Sequence, residues 1–235
     1  MHGIIFLSLI ACACIALVIN SYIDINAFNR TGSKKFNFLT YFPFELTQSK
    51  KTIANKLPYI FFESLGLILL SSASLIFSLA TKEANGAFVT SIFFFAFNLL
   101  FCLTFIALKF IKLSNFKLHC AFATAEVCFA LLINFLYAFY FSSQSFAFIN
   151  KMPSDAIRYS CFAVSFLLII AEFALILNPS AKGWLRMVKI DAETFNRPKH
   201  CYLASVEWGT LLVYFLSFIP LIIVYLFAQK GFVES

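Results

Sequence analysis

The sequence predicts an all-α membrane protein, a bundle of six transmembrane helices, and three observations lead there. Of 235 residues, 61% are apolar and 12% charged, about half the charged share of an ordinary soluble domain. Six apolar runs are each long enough to cross the hydrocarbon core, which takes about 20 helical residues. All six lack Lys and Arg in their central turns. A bilayer offers a single segment's backbone amides no partner outside the segment, so each run is helical. A closed barrel needs shorter, alternating segments, and these do not alternate.

The first span covers about 3–21. Leu9, Ile10, Ala11 and Cys12 resemble a bacterial lipobox, but no Lys or Arg precedes the run and apolar residues continue to Ile19. It therefore reads as an uncleaved span, since signal peptides carry a basic leader. The other spans cover about 57–80, 87–111, 118–141, 157–177 and 205–228, and all six form one polytopic domain over 1–235. The Phe-rich stretch 92–97 would suit a strand in water; at the length of the third span, helix wins. Phenylalanine supplies 33 residues and glycine seven. Phe inserts favourably into bilayers, while so little glycine argues against close GxxxG crossings or glycine-broken helices.

Basic residues set the orientation. The loops 22–56, 109–117 and 178–204 hold fourteen Lys and Arg, against four in the N-terminus, the loops 81–86 and 142–158 and the tail. The positive-inside rule places the three basic loops in the cytoplasm and both termini outside, in a plasma or inner membrane. The sequon at Asn29 would then face the cytoplasm and stay unmodified. In 178–204, Trp184, Leu185, Val188, Ala192 and Phe195 recur at helical spacing, with Lys182, Arg186 and Lys189 between them. This pattern predicts a short interfacial helix whose cations meet anionic head groups. In 22–56, the aromatic run containing Phe36, Phe38, Tyr41 and Phe42 lies between lysine pairs. It reads as a second interfacial element, with a protein-docking patch or a packed lid as alternatives.

Ionisable residues within spans are costly and are functional candidates by default. Glu63, Glu126, Glu172 and Glu207 qualify, each about 4 to 12 Å from the cytoplasmic end of its helix at 1.5 Å per residue. If they face inward, they form an acidic vestibule with no Lys or Arg at their depth. Lys56, Lys109, Lys112, Lys117 and His119 lie nearer the surface and reach in only by snorkelling. Burial without a cation favours the protonated carboxyl, a state suited to proton exchange or to binding a cation instead. The bland reading is hydration at the interface, strongest for Glu207 beside Trp208. Asn98 and Asn134, deeper in their spans, read as interhelical hydrogen bonds.

The segments 119–126 and 200–207 share the pattern H-C-x-x-A-[ST]-x-E, and Lys56 precedes Glu63 by the same seven residues. The echo suggests three helical hairpins, an arrangement familiar from transporters. A one-residue slip after the glutamates rotates the downstream match by about 100°. His119 and His200 share a helix face with their glutamates and read as proton shuttles or, more simply, as interfacial imidazoles.

No P-loop, G-x-S-x-G elbow or H-E-x-x-H helix occurs. Seven cysteines contain no CxxC pair, so no disulfide framework, metal site or cofactor is implied. The basic residues sit on no soluble domain that would hold a nucleic acid. The leading expectation is a small transporter or permease subunit with an acidic vestibule for protons or a cationic solute. The alternative is a non-catalytic scaffold docking a protein partner or anionic lipid through the basic aromatic loops. A third reading, an intramembrane lipid-modifying enzyme, requires a histidine within hydrogen-bond reach of a glutamate across helices.

Overall fold

The computed structural model describes residues 2–31, 35–38, 41–43, 45–48, 53–80, 85–111, 115–142, 155–178 and 202–231. Among them the chain is helical, with no strand: α1 (His2–Thr31), α2 (Glu45–Gln48), α3 (Ile53–Ala80), α4 (Asn85–Leu108), α5 (Phe116–Ser142), α6 (Asp155–Leu177), α7 (Tyr202–Leu216) and α8 (Ile219–Gly231). Six helical stretches are long and apolar enough to cross a membrane, the sixth being α7 and α8 together. The interfacial helix expected in 178–204, with Trp184, Arg186 and Lys189, lies outside the described residues, as does His200.

The first helix outruns its apolar segment by ten residues. Hydropathy marks where lipid ends, not where the backbone stops being helical, and no Gly or Pro interrupts the chain between Gly3 and Gly32. At 30 residues, α1 is about 45 Å long. Its extra turns carry Asp24, which accepts a hydrogen bond from Asn20 Nδ2 at 2.9 Å.

Helices adjacent in sequence pack together: α1 on α3, α3 on α4, α4 on α5, and α5 on α6. The three expected hairpins are all paired, the third through α6 on α7 and α8, yet they are not separate units, because α3 also packs on α4 and α5 on α6. The close approach of α1 and α3 occurs at Gly66, where a Cβ would stand 2.6 Å from Leu17 Cγ and 3.2 Å from the Ala13 carbonyl. Glycine is scarce, but here it lets two backbones meet.

The sixth span differs from the rest. It breaks at Ser217 and Phe218, just before Pro220, which has no N–H to continue the ladder and sits where a new helix tolerates it. Ser217 Oγ donates to Tyr214 O at 2.6 Å and takes up one carbonyl near the break. This broken helix touches every other span. Tyr225 meets Phe6 of α1 and Phe77 of α3; Tyr214 stacks on Phe101 of α4. Glu207 meets His119 of α5, and Thr210 meets Glu172 of α6. Of its apolar stretch 56% is buried, against 28% for α1 and for α6, which marks it as the hub. Leu212 on the hub, like Ile15, Phe61, Leu103 and Leu167 on the others, is exposed and faces lipid.

Candidate functional site

The acids gather at the end of the bundle where α4 ends and α3, α5 and α7 begin. Buried charges are tolerated only when paired and hydrogen-bonded, and the pairing found here corrects the expectation of acids without basic partners. Lys109 follows the last turn of α4, which tightens through Lys109 N to Ile106 O and Phe110 N to Ala107 O. Its side chain is 1% exposed; the ammonium lies 3.2 Å from Glu63 Oε1, donates to Pro43 O at 3.1 Å and stands 4.9 Å over the Phe105 ring. A lysine stem spans several ångströms, so a residue that hydropathy assigns to the helix end delivers its charge inside. Lys56 donates to Lys109 O at 3.1 Å, and partial burial holds its amine below the usual lysine range.

The second pair crosses from α5 to α7: His119 Nε2 lies 2.9 Å from Glu207 Oε1. The two echoed segments thus meet through the histidine of one and the glutamate of the other. Glu172 on α6 is buried and accepts a hydrogen bond from Thr210 at 2.6 Å, while its Oε2 has no partner among the described residues.

Glu126 stands apart. It is 2% exposed, its Oε1 has no hydrogen-bond partner among the described residues, and it lies within electrostatic range of Glu207, Lys109 and Glu63. Asn98 donates to Phe94 O at 2.7 Å and Asn134 to Ala130 O at 2.9 Å, each within its own helix. Polar contacts between helices come instead from Ser78 of α3, whose Oγ donates to Ser91 O of α4 at 2.6 Å, and from a thiol that joins α3, α4 and α7. Cys102 Sγ accepts from Ser71 Oγ at 3.4 Å, donates to Leu67 O at 3.5 Å, and lies 3.3 Å from Tyr214 OH.

A short strap closes this end. Three consecutive residues each meet the polar cluster or its neighbour: Tyr41 O accepts from Trp208 Nε1 at 2.9 Å, the Phe42 ring stands edge-on to His119 at 5.8 Å, and Pro43 O accepts from Lys109. Phe42 N donates to Glu45 Oε2 at 2.8 Å. Phe42 is buried against Leu108 and Ala204, whereas Phe36 and Phe38 pack on the Trp208 ring from outside. α2, the single turn that follows, packs against α1 and α3.

Sequence reasoning left three parts of this arrangement open or unseen: Lys109, named only as a surface cation able to snorkel in, as the partner of Glu63; Asp24 and Asn20 as buried polar groups; and the Cys102–Tyr214 contact. The first had a signal, a lysine within two residues of an apolar helix end. The last had none, because a Cys and a Tyr in apolar runs look like ordinary packing. Among the described residues, no three of His, Cys, Asp and Glu converge as metal ligands.

The fold and its polar interior define a multi-pass membrane protein of six spans. Comparison with protein-family models, curated proteins and solved structures finds no match to the chain.

Proposed function

We propose that this protein is a small transporter or permease subunit that exchanges protons, or a cation in their place, at a buried acidic cluster centred on Glu126. It sits in a cell membrane with its three basic loops in the cytoplasm and both termini outside. The observation that carries this reading is the position of Glu126, deep in the bundle with Oε1 unpartnered among the described residues and flanked by the Glu63–Lys109 and His119–Glu207 pairs. Such a carboxyl takes up or releases a charge without breaking an ion pair of its own. The paired acids on either side set the local field and are held by Lys109 and His119. With the strap of Tyr41, Phe42 and Pro43 in place, the cluster is closed towards the basic loops, as one state of an alternating device would be.

The test is flux in proteoliposomes, followed with an internal pH dye and with a labelled cation. Glu126→Gln is expected to cut flux at least tenfold, and the triple Glu63, Glu126 and Glu172→Gln variant to abolish it. Undiminished flux in the triple variant overturns the reading.

The His119–Glu207 contact favours a second reading, since an imidazole within 2.9 Å of a carboxylate is the geometry a general acid–base pair needs. Incubating the purified protein with a total lipid extract separates the two. Under the transport reading the lipid profile stays unchanged, and a product lost with His119→Gln supports an enzyme.

A further inference from the structure

The strap at the basic end of the bundle touches both ion pairs, and its contacts are unlike those of a permanent closure. Phe42 N donates to Glu45 Oε2 at 2.8 Å and Glu45 N to Phe42 O at 3.1 Å, a reciprocal cap that gives the strap a shape of its own. Its hold on the helices comes from side chains that reach its carbonyls. Trp208 Nε1, beside Glu207, donates to Tyr41 O at 2.9 Å, and Lys109 Nζ donates to Pro43 O at 3.1 Å. Between them the buried Phe42 ring stands edge-on to His119. A closure that never opens needs no ionisable donor, because backbone amides and apolar packing are less costly to bury. Here one donor is an ammonium whose place in the interior depends on Glu63, 3.2 Å away. Glu63 also lies within electrostatic range of Glu126 on α5, and Lys56 of α3 donates to the backbone carbonyl of Lys109. The second carboxylate oxygen, Glu63 Oε2, is buried without a partner among the described residues. A proton or a cation settles there without displacing another donor first.

We infer that the strap of Tyr41, Phe42 and Pro43 is a gate latched by Lys109, and that positive charge arriving on Glu63 withdraws the latch. The use of the gate in transport rests on the exchange reading above; the latch itself does not. With Glu63 neutralised, the ammonium is a buried cation without its counter-ion, a state costly enough to drive it towards water. The lysine stem lets the charge swing out while the backbone stays in place. Pro43 O then loses its donor, and the strap is left with Trp208 and the packing of Phe42 on Leu108 and Ala204. The cargo thus opens the basic end only after it has reached the cluster, which keeps the empty bundle from leaking.

Trp208 reports on the strap, since its indole is bonded to Tyr41 and packs against the rings of Phe36 and Phe38. In the full chain carrying Trp184→Phe it is the one remaining tryptophan, and iodide quenching of its fluorescence in lipid nanodiscs follows opening. Glu63→Gln and Lys109→Met are each expected to raise the quenching constant at least threefold. The double variant Lys109→Met, Glu63→Gln is expected to regain most of the wild-type melting temperature yet stay as open as either single one, because Pro43 O still lacks its donor. It carries the test if Lys109→Met alone does not fold. Ser78→Ala, which removes the bond from α3 to Ser91 O of α4, is expected to leave quenching unchanged. A rise as large in Ser78→Ala overturns the latch, since any loosening of the bundle would then free the strap. Wild-type quenching in the double variant, with flux lost in Glu126→Gln, overturns the latch and leaves the exchange reading standing. Quenching raised threefold in the double variant, with flux undiminished in the triple Glu63, Glu126 and Glu172→Gln variant, supports the latch and overturns its use in transport.

Discussion

Lys109 and Glu63 show how a single side chain changes the meaning of a sequence. Either residue alone is a buried charge of the kind bilayer interiors exclude; together, with Pro43 O completing the ammonium's contacts, they are stable. Lys109→Met leaves Glu63 without its cation and is expected to cost about 3–5 kcal/mol, as removal of one partner from a buried pair does. The double variant Lys109→Met, Glu63→Gln should recover most of that loss. A double-mutant cycle on unfolding in a defined detergent reads the coupling, and additive losses would mean the pair does not interact. Glu126 has no such cation-bonded partner, so Glu126→Gln is expected to change stability by less than about 1 kcal/mol while flux falls. That split separates a functional carboxyl from a structural one.

At the scale of elements, the two glycines with close neighbours make a graded prediction. A Cβ on Gly66 meets Leu17 and the Ala13 carbonyl, whereas one on Gly209 meets only the side chain of Leu175. Side-chain ends move and backbone does not. Gly66→Ala is therefore expected to cost about 1–3 kcal/mol, the range for overpacking, and Gly209→Ala less. Thermal unfolding of the two variants checks the order. The hub helix offers another case. Pro220→Ala returns an N–H to the Leu216 carbonyl and is expected to fuse α7 with α8, slowing amide exchange across Ser217 and Phe218. Exchange rates equal to wild type would show that the break is held by packing, including the Cys161 thiol on Pro220 O, rather than by the missing donor.

For the whole molecule, orientation is the property with the widest consequences, because under the proposed exchange it decides which side would load the Glu126 cluster. With the basic loops inside, Asn29 of the sequon stays unmodified when the chain is translated into microsomes, while a sequon engineered into 143–150 is glycosylated. Modification of Asn29 would invert the proposed topology. Asn29 also accepts a hydrogen bond from Phe36 N at 2.7 Å, tying the end of α1 to the aromatic strap. Phe38 remains 51% exposed on that strap, the residue a docking partner would reach first.

Much of this was legible without coordinates. Run length and the absence of central charges determine six membrane helices, and the depth of Glu63, Glu126, Glu172 and Glu207 follows from counting residues, because rise per residue is a local property. The tertiary structure alone decided which acids have cations, which helix is the hub, and that Cys102, Tyr214 and the phenols of α5 and α8 share one interior. Those outcomes depend on how each helix is rotated and which neighbours it meets. One residue turns a helix by about 100°, and hydropathy that is nearly uniform around these helices holds no record of that angle. The ends of long side chains are equally unreadable: Lys109 counts as a surface residue along the chain and as an interior cation in space, because its stem reaches across the boundary that hydropathy draws.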